Sequence, residues 1–115
     1  MSWSATVTDV GAQVEPRRLP DGSLQGPDGT VYRRTSVRLK RKMADRLIGA
    51  GAAIVTSVYP EGLRWYDGET AAKVWLQIRT RLIEAKRPPV RDLQWVGHVW
   101  ESESGLTLLF FEGEH

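Results

Sequence analysis

Seven basic side chains crowd into one short stretch: Arg33, Arg34, Arg38, Lys40, Arg41, Lys42 and Arg46, opposed there only by Asp45, a net of +6 over residues 33–46. Guanidinium and ammonium groups at this density suit the neutralisation of regularly spaced phosphates. Displacing the phosphates' counterions makes such binding steeply salt-dependent. Contacts of this kind hold a backbone without reading sequence, so the expected nucleic-acid binding is weak, salt-sensitive and largely non-specific. Tyr32 adjoins the run, where an exposed ring would stack on a base. The competing reading is a solvated helix face answered by the acidic C-terminus, since residues 93–115 carry Glu101, Glu103, Glu112 and Glu114 and no Lys or Arg. The rest of the chain nearly cancels, and the total is only +2. The basic segment is therefore one end of a dipolar charge pattern, a property that bears on association rather than on fold.

Other chemistries find little support. The chain has no cysteine and two histidines, His98 and His115. His98 falls in an expected strand and His115 is the last residue of the sequence, and no cysteine is present, so no metal site is expected and no cofactor is implied. An enzyme would have to centre on His98, the sole imidazole placed inside a regular element. Ser102 and Ser104 lie near it in sequence, but in a turn and without a Gly-x-Ser-x-Gly elbow. No catalytic residue is assigned. Gly49-Ala50-Gly51 follows a helix, whereas a phosphate cradle precedes one, so it reads as a C-terminal stop.

Tryptophan is the second unusual feature, with five in 115 residues. Trp95 and Trp100 fall on opposite faces of any regular strand, so burying both requires cover on two sides. An outward-facing Trp95 or Trp100, with Phe111 from the next strand, would form an interface to another protein or to a second copy in a homodimer. A fold that covers both faces by itself is the plain alternative.

The elements that must position these residues follow from periodicity and punctuation. Trp3 to Thr8 alternates as a half-buried strand does. Residues 11–29 hold two Pro-Asp-Gly turns, at Pro20-Asp21-Gly22 and Pro27-Asp28-Gly29, and read as a loop or loose hairpin. Thr30 to Leu39 is β-rich. A helix is expected from about Lys40 to Ala50, with Met43, Ala44, Leu47 and Ile48 on one side and the cations on the other. Ala52 to Tyr59 reads as a strand, with a short one at Leu63–Tyr66. Asp67 caps a second helix running to about Ala85, whose stripe Ala71, Val74, Trp75, Ile78 and Leu82 marks a core face before Pro88-Pro89 ends it. Leu93–Glu101 and Leu106–Glu112 form a hairpin about Ser102-Glu103-Ser104-Gly105.

This order predicts one α+β domain over residues 1–115, a small mixed or mainly antiparallel sheet with two helices packed on it and a C-terminal β-hairpin. No leader-like segment opens the chain, and no apolar run approaches the ~18 residues that span a bilayer, so a cytoplasmic location without a membrane partner is expected. The functional expectation is a non-enzymatic binding module, associated with nucleic acid through the basic helix face. The alternative is a protein-interaction or homodimeric accessory protein using the apolar C-terminal hairpin.

Overall fold

A computed structural model of the chain describes residues 15–57, 63–84 and 95–113. In chain order the elements are β1 (Arg17–Arg18), β2 (Leu24–Gln25), β3 (Val31–Arg38), α1 (Arg41–Gly49), β4 (Ala53–Thr56), β5 (Arg64–Tyr66), α2 (Gly68–Glu84), β6 (Trp95–Ser102) and β7 (Thr107–Gly113). The α+β class is as expected. The sheet is not small: all seven strands join in the order β1-β2-β3-β6-β7-β4-β5. Every pairing is antiparallel except β4 with β7, which is parallel.

Local chemistry accounts for the boundaries. Two Asp side chains fix the β1–β2 and β2–β3 connections, Asp21 accepting from Ser23 N–H at 3.0 Å and Asp28 from Thr30 N–H at 3.0 Å. Residues 15–29 are thus a short hairpin rather than open loop. The helix α1 ends where the sequence requires, with Gly51 at φ +97°, a conformation that L side chains rarely adopt. The helix α2 begins directly after Asp67, whose backbone carbonyl accepts from Ala71 N–H at 3.1 Å. The hairpin β6–β7 turns through Ser102, whose hydroxyl accepts from Leu106 N–H at 3.0 Å. The strand expected at Trp3 to Thr8 lies outside the described residues.

The sheet curls. Tyr32 on β3 and Trp65 on β5 have β6, β7 and β4 between them, a separation of about 19 Å in a flat sheet at ~4.8 Å per strand. Their ring centroids lie 5.9 Å apart. Gly26, in the β2–β3 turn, packs directly on the Trp65 ring. The two ends of the sheet therefore approach each other across one concave face.

That face holds one core, built from Leu24, Tyr32, Ala53, Val55, Trp65, Trp100, Leu108 and Phe110. The convex face carries the helices over a second core that includes Ala44, Ile54, Tyr66, Val74, Trp75, Ile78, Leu109 and Phe111. Alternation along β7 decides the split: Leu108 and Phe110 face inward, Leu109 and Phe111 outward toward the helices. Strands apolar on both faces are thus covered by the chain itself. Among the described residues no helix is long and apolar enough to cross a membrane.

Candidate anion-binding face

The basic segment divides into three parts, each set by a structural cause. Arg33 points away from the concave core and is answered by acids, with Asp21 at 3.5 Å and Glu103 at 4.0 Å. Its guanidinium is occupied, though exposed, so it leaves the set of free cations that the sequence suggests. Arg34 lies opposite Trp100 on the concave side. One of its Nη atoms lies 2.9 Å from His98 Nε2. Arginine has no acceptor, so His98 Nε2 accepts and the ring carries its proton on Nδ1.

Between Arg34 and Arg38 the strand β3 bulges: Arg34 faces Trp100 and Arg38 faces His98, so four steps on β3 match two on β6. Thr35 supports the bulge, its hydroxyl donating to Val99 carbonyl at 2.8 Å and accepting from Val37 N–H at 3.1 Å. Because the excess is two residues, the alternation is preserved and Arg38 emerges on the same side as Arg34.

Lys40, Arg41 and Lys42 stand at the start of α1, and Arg46 lies in its last turn. Lys40 is the N-cap residue and makes no side-chain cap bond, and the first turn holds no acid. Asp45 is the acid of this segment and stands four residues after Arg41, the spacing of a helical ion pair. Its carboxylate, though exposed, is instead turned toward α2, accepting from Trp75 Nε1 at 2.7 Å and pairing with Arg79 at 3.6 Å. Arg38, Lys40, Arg41, Lys42 and Arg46 are all exposed, and among the described residues none has an acidic partner.

The acidic C-terminus answers this charge only in part. Glu103 reaches Arg33, Glu112 acts on His98 through space, and Glu114 lies outside the described residues. Burial, followed by the field of Arg34, holds the His98 pKa below its ordinary value against an opposing pull from Glu112. The ring is therefore kept neutral, as its role as acceptor requires.

Several expectations from sequence are corrected. Tyr32 is 5% exposed and packs on Trp65, so it offers no ring for a base to stack on. Trp100 and Phe111, expected at an interface, are each 3% exposed and sit in the two cores. Trp100 packs on Phe110 at 5.2 Å and Phe111 stacks on Trp75 at 5.9 Å, leaving neither free to dock a partner. Trp95 begins β6, and its side chain lies outside the described residues. His98 meets a cation rather than a carboxylate in its hydrogen bond, and the Ser102 and Ser104 hydroxyls bond each other at 2.9 Å in the turn. No nucleophile–base pair forms among these groups. No cluster of His, Asp and Glu suited to a metal ion occurs among the described residues.

One cation escaped the sequence reading. Arg18, on β1, lies with its guanidinium carbon 5.5 Å from the centroid of the Phe110 ring, placing it over the concave face. Its placement was partly available, because a hairpin about Pro20-Asp21-Gly22 sets Arg18 opposite Leu24, on the apolar side. Comparison with known protein families, with characterised proteins and with solved structures yields no match to this chain.

Proposed function

We propose that this chain is a polyanion-binding module and that the backbone of a nucleic acid is its ligand. The ridge from Arg38 through Lys40, Arg41 and Lys42 to Arg46 makes the contacts. What supports this reading is that these five exposed cations have no acidic partner among the described residues, while Asp45 is turned into the helix–helix contact.

The arrangement works against the helix that carries it. Lys40, Arg41 and Lys42 at the helix N-terminus oppose the positive end of the macrodipole, whereas Arg46 in the last turn complements its negative end. Lys42 and Arg46 stand at i and i+4, where like charges cost about 0.2–0.5 kcal/mol. A phosphate backbone reverses both terms, because the uncapped N–H groups and the cations then share an anion. Departures from local rules without an internal remedy are a mark of functional surface. With Tyr32 buried, the ridge brings charge and no stacking platform, which favours sequence-independent binding to phosphates.

Fluorescence anisotropy of a labelled 20-base-pair DNA duplex across a salt series tests the proposal. Five phosphate contacts give a slope of log K against log salt near −4.5, from ~0.9 per contact. Absence of binding at the lowest salt overturns the proposal.

A further inference from the structure

A cleft distinct from the helix ridge lies on the concave face of the sheet. It has a volume of about 350 Å³, with Arg18, Arg33, Arg34, Trp100 and the acids Asp21 and Glu112 in its walls. The curl of the sheet makes it, bringing β1 across to β7 so that Arg18 covers Phe110 while Arg34 rises from β3 on the other side. This volume lies within the range of small-molecule pockets.

The polar groups of this cleft are unequally satisfied. Asp21 is committed to its own turn, binding the Ser23 N–H and hydroxyl and the Arg33 guanidinium. Arg18 and Arg34 have no acidic partner within salt-bridge distance among the described residues, and the hydrogen bond of Arg34 goes to a neutral imidazole. Trp100 is 3% exposed, and its indole N–H is shielded from bulk water without an acceptor among the described residues. A buried donor left in this state is costly, and an acceptor oxygen supplied by a ligand relieves the cost. Arg33 is turned to Asp21, which leaves the Arg18 and Arg34 guanidiniums of this cleft for an oxyanion, with the Trp100 ring in the same wall. Glu112 stands in the same wall and disfavours a highly charged ligand.

We propose that this cleft binds a small molecule through one oxyanion, a carboxylate or a phosphate, held between Arg18 and Arg34 and accepting from the Trp100 indole N–H. The site stands apart from the ridge on α1, so it survives if the nucleic-acid reading fails.

The indole N–H is itself the reporter. In ¹⁵N–¹H correlation spectra of the full chain, the Trp100 indole peak is assigned by its loss in Trp100→Phe. The protein is then titrated separately with sodium acetate and with inorganic phosphate, with sodium chloride as the ionic-strength control. The expected result is a saturable downfield shift of the Trp100 indole peak with at least one of the two anions and not with chloride. Saturation by acetate alone identifies a carboxylate site, and saturation by phosphate alone a phosphate site. Arg34→Gln and Arg18→Gln, both at exposed positions, should each weaken the titration at least tenfold while the other indole peaks stay in place. Lys42→Ala should leave it unchanged. A shift that follows ionic strength, that is shared by all indoles, or that survives both arginine substitutions overturns the proposal.

Discussion

Gly97 lies where the curled sheet meets the helices, and adding one methyl there probes the packing that holds β3, β6 and β7 in register. Gly97 pairs with Phe111 across the β6–β7 ladder, and its carbonyl accepts from Leu39 N–H at 2.8 Å. A Cβ at this position would meet Phe111 Cε1 at 2.8 Å and Leu39 Cδ1 at 2.9 Å, well inside ordinary contact distance. Leu39 is only partly buried and has room to rotate. Phe111 has little, being stacked on Trp75 within the convex core. Overpacking of this kind costs about 1–3 kcal/mol, and replacing glycine in a strand returns about 0.5–1 kcal/mol. The two ranges leave a loss of about 0–2.5 kcal/mol for Gly97→Ala, so the thermal midpoint should fall by up to roughly 10 °C for a chain of this length. Circular dichroism at 222 nm reads the midpoint directly. A midpoint above that of the parent chain would show that Phe111 and Leu39 do not crowd Gly97.

Two further outcomes follow from the same contacts. Asp45→Ala removes the acceptor of the buried Trp75 indole N–H and should destabilise the chain by about 1–3 kcal/mol in urea denaturation; unchanged stability would contradict the Asp45–Trp75 hydrogen bond. The folded-state pKa of His98 lies below its ordinary value of 6.5, so in acid the unfolded chain takes up this proton first. The stability His98 contributes is present above about pH 6.5 and is lost as pH falls through the depressed pKa, and His98→Gln should flatten that part of the stability–pH profile. Retention of the full slope in His98→Gln would assign it to other groups.

Local punctuation made much of the fold legible. Asp67, the stripe from Ala71 to Ile78, and Gly51 bound the helices within a residue or two, because caps and apolar spacing act over one turn. The Ser102 to Gly105 turn marked the hairpin for the same reason. The parallel pairing of β4 with β7 was not legible, since it joins segments about fifty residues apart and leaves no local trace. Nor was the curl, which decides which aromatic residues are exposed. Tyr32 and Trp100 are buried in the concave core that the curl closes, and Phe111 is buried under the helices on the convex face. The basic run was visible as charge, but its partition was not. Whether Arg33 pairs with Asp21, or Asp45 with Trp75 rather than Arg41, is settled by side-chain geometry that spacing alone leaves open.

The cations of one segment differ in availability: Arg33 is already answered by Asp21 and Glu103, whereas Lys42 and Arg46 have no acidic partner among the described residues. The salt dependence of duplex DNA binding by Arg33→Ala, Lys42→Ala and Arg46→Ala measures that difference. Slopes should fall by about one for Lys42→Ala and for Arg46→Ala, from ~0.9 per lost phosphate contact, and stay unchanged for Arg33→Ala. Equal reductions in all three variants, or none in any, would contradict that difference.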